Sequence, residues 1–253
     1  MEKWSGKVAA VTGASSGIGE AIIQDFAKAG IHVVGLARRS EKIEEIAKKL
    51  GDTHGKIYAH KCDVSDLESI KEAFKWIEQK FGSISILINN AGTAYRMQIL
   101  DENEDNTEKI NSVINTNFTG LVHCTREAVR LIKKSDDYGL IINVGSIVGH
   151  IVPFRPNSFN VYAPSKFAVT AVSEVLRQEL IIQDNKKIRV SNVSPGLVVT
   201  EMTTPSGSNA DEHFANISVL EPKNVSQAIM FLLQTPYSVN ITQMTVKPVG
   251  EKA

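Results

Sequence analysis

Short apolar runs rich in β-branched residues alternate along the chain with segments of helical period, and this alternation constrains the fold most. Strands are expected at 7–13 (KVAAVTG), 31–37 (IHVVGLA), 56–62, 83–90, 139–145, 187–193 and 241–247. Helices are expected at 17–30, 40–51, 66–81, 107–134, 162–184 and 222–235. In the first of these, Ile18, Ile22 and Phe26 recur every fourth residue and Gly30 is a stop signal; Ser40 is the expected N-cap of the second. Apolar strands alternating with helices specify an α/β fold with a parallel sheet covered on both faces. At 253 residues and 42% hydrophobic content, the chain suits one domain spanning 1–253. The two least regular segments, 147–161 and 197–220, both follow a strand, where open α/β sheets place their ligands.

Composition excludes several function classes. Lys plus Arg and Asp plus Glu are both 28, so no long-range field exists to capture nucleic acid or an anionic membrane. Cys62 and Cys124 lie in no C-x-x-C or Cys/His cluster. They read as buried thiols of a reducing compartment, and neither a disulfide framework nor a metal site is expected. The opening MEKWSGKVAAVTG has no long apolar core, and no run approaches the ~18 apolar residues of a membrane span. Without a secretory signal, the N-x-[ST] triplets at Asn117, Asn192, Asn216, Asn224 and Asn240 read as chance matches, and a cytoplasmic location is expected.

TGASSGIG (12–19) joins the first strand to the first helix with the spacing G-x-x-x-G-x-G. Glycine permits a tight turn and close approach of backbone to an anion, and the helix start offers free N–H groups to a pyrophosphate. No Gly-Lys-Ser/Thr follows, so this is not a P-loop. A glycine turn alone also fits mere strand–helix packing, but its place in a series of strand–helix units favours a dinucleotide. Where an NAD-preferring chain usually carries an acid, the second strand ends in GLARRS, with no acid before Glu41. Arg38 and Arg39 suit a 2′-phosphate, so NADP(H) is expected over NAD(H), mainly on Arg38.

NVYAPSKFAV (160–169) sets Tyr162 four residues before Lys166, with Pro164 allowed between them in a first helical turn. Alone, the pair fits an ordinary exposed helix face. A neighbouring ammonium and the positive ring of an oxidised nicotinamide would also lower the phenol's pKa towards useful acid–base chemistry. NNAG (89–92) ends the fourth strand, Asn117 falls inside the long expected helix, where asparagine is a poor helix former, Ser146 ends the fifth strand and SPGLVVT (194–200) follows the sixth.

In this order, TG-x-x-x-G-x-G, N-N-A-G, the helix Asn, the Ser, Y-x-x-x-K and P-G-x-x-x-T resemble the short-chain dehydrogenase/reductase family over the whole length. The resemblance implies a Rossmann-type doubly wound sheet of seven parallel strands in order 3-2-1-4-5-6-7. It implies a catalytic set of Asn117, Ser146, Tyr162 and Lys166. Tyr162 would exchange a proton with the substrate oxygen and Lys166 would tune the phenol and hold the nicotinamide ribose. Ser146 would hydrogen-bond the substrate oxygen, and Asn117 would hold a relay water at a local break in its helix. Cofactor contacts are implied at Gly13, Ser15, Ser16, Gly17, Ile18, Gly19, Arg38, Arg39, Asp63 (on the adenine) and Val64. Further contacts are implied at Asn89, Asn90, Ala91, Gly92, Pro195, Gly196, Val198 and Thr200. Within the family, VVGLARR, HCTREAV, SIVGH and TVKPVGE are similar to the insect farnesol-dehydrogenase-like and vertebrate dehydrogenase/reductase member 11 groups. That points to an alcohol–carbonyl oxidoreductase acting on a farnesol-like alcohol or a steroid-like ketone. A broad carbonyl reductase or a catalytically retired nucleotide sensor stays open beside it. The Ser146–Tyr162 interval is longer than is usual in the family, and its loop places His150, Phe154 and Phe159 as expected substrate contacts. Family members pair their long helices across a two-fold axis, which implies a homodimer or homotetramer.

Overall fold

The computed structural model describes residues 1–154, 160–204, 207 and 209–251, apart from the side chain of Asp211. Its strands are β1 (Val8–Thr12), β2 (His32–Ala37), β3 (Ile57–Lys61), β4 (Ile86–Asn89), β5 (Gly139–Val144), β6 (Ile188–Pro195) and β7 (Gln243–Val246). They form one sheet in the order β3-β2-β1-β4-β5-β6-β7. Every pairing is parallel, as the expected doubly wound sheet requires. The strand order reverses between β1 and β4, so the crevice beyond their carboxyl ends is the natural ligand position.

The helices are α1 (Gly17–Lys28), α2 (Ser40–Leu50), α3 (Leu67–Phe81), α4 (Thr107–Ile114), α5 (Gly120–Lys134), α6 (Tyr162–Ile182), α7 (Ala210–Phe214) and α8 (Pro222–Gln234). Alternate residues of the central strands feed two separate cores. Ile86, Ile88 and Ile142 pack with Ile22 and Phe26 of α1 and Ile229 of α8. Leu87 and Ile141 pack on the other face with Phe74 of α3 and Ala128 and Leu131 of α5. Both faces of the central strands are therefore dry, which explains why those strands read as unbroken apolar runs.

The single helix expected at 107–134 is in fact α4 and α5 joined by a π turn, Asn115–Thr119. The extra residue in that turn brings Gly120 against β3's exit, where a Cβ would lie 2.2 Å from the Val64 carbonyl oxygen. Helix α7 and the 3-10 turns Glu2–Trp4 and Ile147–Gly149 escape sequence reading because three to five residues cannot display a period. The first of them seats Trp4, whose indole N–H donates to the Leu233 carbonyl at 2.8 Å. No helix among the described residues is long and apolar enough to cross a membrane.

Candidate active site

Beyond β1 the chain turns through Gly13 and Gly17, both at positive φ (64° and 57°). A Cβ on Gly13 would stand 2.8 Å from Ala91 Cα, and one on Gly19 would stand 2.2 Å from the Gly13 carbonyl oxygen. Backbone thus packs on backbone, and no side chain fits. Thr12 Oγ1, which sequence reasoning passed over, accepts the N–H groups of Asn90 and Ala91, each at 3.0 Å. Asn90 Nδ2 donates back to the carbonyls of Thr12 and Gly13. Ser16 enters α1 extended and gives it no side-chain cap. Ser15 is buried, Ile18 packs on the first core, and Gly92 lies beside Lys166 and Asn117. The bare first-turn N–H groups and the glycine cradle fit the pyrophosphate of a dinucleotide.

Past β2, Arg38 and Arg39 are both exposed. Arg38 makes no ion pair among the described residues, whereas Arg39 Nη2 lies 2.7 Å from Glu201 Oε2 and 3.4 Å from Ser16 Oγ. Lys42 lies 3.4 Å from the other Glu201 oxygen. The hydrogen bond from Arg39 is the main cause that holds the Glu201 pKa below its ordinary value. Past β3, one Asp63 oxygen accepts from Ser65 N and Ser65 Oγ, closing a turn, while Val64 is buried.

The four residues of the expected catalytic set converge from β5, α6 and the π turn. Ser146 caps the 3-10 turn after β5 and hydrogen-bonds the Tyr162 phenol. Tyr162 opens α6, with Pro164 inside the first turn as the spacing required. Lys166, one helical turn on, is buried; its Nζ donates to the Val144 carbonyl at 2.9 Å and lies 5.7 Å from the Tyr162 ring centroid. Asn117 is 1% exposed. Its Oδ1 accepts from Thr93 N at 2.8 Å, and its Nδ2 donates to Thr93 O and to Ser165 Oγ, both at 3.0 Å. Ser165 Oγ in turn donates to the Tyr162 carbonyl at 2.6 Å.

Burial dominates the electrostatics of this pair. Burial pushes the Tyr162 phenol up to about 12, opposed by its hydrogen bond with Ser146. Burial likewise lowers the Lys166 ammonium to about 8. Desolvation of the ring is thus the largest influence on the phenol, and the expected lowering rests on the positive nicotinamide ring as well as on Lys166.

Some expected residues sit elsewhere. Asn89 is buried below the groove, donating at 2.8 Å to both Thr125 Oγ1 and Asn143 Oδ1. His150 Nε2 is engaged by Ser194 Oγ at 2.9 Å and Gln243 Nε2 at 3.0 Å, on β6 and β7. Phe154 stands fully in solvent, at 102% exposure. Phe159 lies outside the described residues. After β6 (which ends at Pro195), Gly196 packs on the Glu251 carboxylate, Val198 is buried and bridges Leu220, and Thr200 lays its methyl over Gly17. Met202, which no sequence signal marked, reaches Gly92 from the same segment.

The profile of the short chain dehydrogenase family matches residues 7–211. Over its whole length the chain is 44% identical to a farnesol dehydrogenase from Aedes aegypti, which it covers completely. It is 36% identical to dehydrogenase/reductase SDR family member 11 of Mus musculus, covering 98% of this chain and 96% of that one. An alcohol dehydrogenase from Thermococcus sibiricus, solved with 5-hydroxy-NADP, superposes with a TM-score of 0.83 at 27% identity, covering 98% of each chain. A serine dehydrogenase solved with NADP+ superposes with a TM-score of 0.84 at 31% identity, covering 97% and 96% of the two chains. With the sheet order, the glycine cradle and these relatives in agreement, the chain belongs to the short-chain dehydrogenase/reductase family of oxidoreductases.

Proposed function

We propose that the protein is an NADP(H)-dependent oxidoreductase that interconverts a hydrophobic alcohol and its carbonyl. A farnesol-like isoprenoid alcohol is the leading substrate, and a steroid-like ketone follows. The observation that carries the reading is the Tyr162 phenol hydrogen-bonded to Ser146 and set above the buried Lys166. When bound, the nicotinamide cofactor supplies the hydride chemistry. In reduction, Tyr162 gives its proton to the substrate oxygen while the Ser146 hydroxyl donates to the same atom. The Lys166 ammonium then favours the phenolate left behind. Asn117 fixes the 93 loop and, through Ser165, the first turn of α6 that carries Tyr162.

The missing acid after β2 and an Arg38 with no ion pair among the described residues favour NADP(H). Exposed Ile99 and Leu100 on one loop and Val152 and Phe154 on the other supply apolar surface for substrate. The Asn160 amide donates to the carbonyls of Tyr95 and Met97, joining the first of these loops to the approach to Tyr162. Full exposure of Phe154 also favours a second reading, a broad carbonyl reductase with a loose pocket.

The test is single-turnover NADPH oxidation with the best carbonyl from a panel of aldehydes and ketones. Tyr162→Phe should slow it by at least the ~10²–10⁴-fold of acid–base assistance. Parent rates in the variant would mean that the proton comes from another group.

A further inference from the structure

Arg39 has a partner that the chain near β2 does not provide. Glu201, 162 residues later, lies on the segment after β6, beside Thr200 and its contact with Gly17. Its carboxylate spans Arg39 at 2.7 Å and Lys42 at 3.4 Å, and Arg39 also reaches Ser16 in the glycine turn. An acid is thus delivered through space to the end of β2, where the local sequence has none.

We infer that Glu201 is a cofactor-selecting residue that occupies, on Arg39, the place of an NADP(H) 2′-phosphate. The inference rests on the NADP(H) reading above. A phosphate arriving between Arg38 and Arg39 must break or share the Glu201 pair and meets the repulsion of that carboxylate. A cofactor without the phosphate meets neither cost. Glu201 therefore narrows the preference for NADP(H) that the two arginines create. The ion pair is open to solvent, at 44% and 57% side-chain exposure, so the effect is bounded by what exposed pairs carry.

Dissociation constants for NADPH and NADH, read by reduced-nicotinamide fluorescence, test this in the parent, Glu201→Gln, Arg39→Gln and the double variant. Glu201→Gln should tighten NADPH about 2- to 5-fold, the range expected of an exposed pair, and leave NADH unchanged. Arg39→Gln should weaken NADPH, and adding Glu201→Gln to it should no longer tighten binding. Equal gains for NADPH and NADH in Glu201→Gln, or no change in either, would overturn the inference, because a loop-packing role does not distinguish the two cofactors. The parent's NADPH-to-NADH ratio tests the NADP(H) reading, and the change in that ratio on Glu201→Gln tests Glu201. A parent without preference whose Glu201→Gln variant gains one would sink the first and support the second. Unchanged thermal melting in Glu201→Gln, with the cofactor absent, is expected and shows that the comparison is between folded proteins.

Discussion

Lys166→Met should stabilise the protein near neutral pH while abolishing activity. Lys166 is 5% exposed, its Nζ has one hydrogen-bond acceptor in Val144, and burial alone drives its pKa from 10.5 to about 8. At ~1.4 kcal/mol per pH unit, the folded chain carries a penalty of about 3 kcal/mol for this ammonium. The penalty is full below about pH 8, where the amine is protonated both folded and unfolded. It fades between about 8 and 10.5, where the unfolded chain still holds the proton that the folded chain has released, so stability contributed by this group rises with pH. Methionine keeps most of the aliphatic stem and removes the charge. It also leaves the Val144 carbonyl without this donor, which costs about 1–3 kcal/mol. The variant should therefore gain about 0–2 kcal/mol near pH 7 and lose that advantage near pH 10. Urea unfolding of parent and variant at both pH values, at one protein concentration, reads the difference. A stability difference that is the same at both pH values would refute the reasoning, since only a buried charge makes it depend on pH.

Ser146→Ala should lower kcat while leaving NADPH binding nearly intact, as measured by steady-state kinetics beside fluorescence titration, because Ser146 meets the phenol and caps the turn after β5, and its proposed further partner is the substrate oxygen. Arg38→Asp should narrow or invert the NADPH-to-NADH ratio of kcat/KM, at a cost of about 1.5–3 kcal/mol for a charge-assisted contact; equal kinetics with both cofactors in the parent would contradict it. Gly19→Ala should cost about 1–3 kcal/mol in chemical denaturation and weaken both cofactors, because its Cβ would stand 2.2 Å from Gly13 O. Light scattering should show a homodimer or homotetramer, with Phe167 and Val175 of α6, 40% and 48% exposed, in its interface; a lone 27.7 kDa species at micromolar concentration would refute this.

The features legible in the sequence were those whose chemistry is local or periodic. Apolar runs gave the strands because both sheet faces are dry, and Gly13, Gly17 and Gly19 marked a turn that admits no Cβ. Tyr162 and Lys166 could be placed together because a helix brings every fourth residue into line. Contacts across long stretches of chain were not legible. Nothing near Arg39 indicates that Glu201 will neutralise it, and nothing near His150 indicates that Ser194 and Gln243 will hold its ring. The upward shift of the Tyr162 phenol was not legible for a related reason. A lysine four residues on is visible in sequence, whereas the burial that raises the phenol exists only once the chain has folded.

The amide of Asn89 bears on how the sheet assembles. Strands with two oily faces have little to choose between neighbouring alignments, because sliding by one residue exchanges one greasy side chain for another. Asn89 and Asn143 sit opposite each other in the β4–β5 ladder and are hydrogen-bonded at 2.8 Å, and Asn143 Nδ2 continues to Ser173 Oγ at 2.9 Å. A slip would strand these amides in hydrocarbon at about 1–3 kcal/mol for each group left unpaired. It would also carry Ser146, three residues beyond Asn143, away from Tyr162 by ~3.3 Å, more than a hydrogen bond can stretch. The asparagines act as a vernier between strands: they touch no reacting atom, yet they fix the alignment on which the serine's reach to the phenol depends.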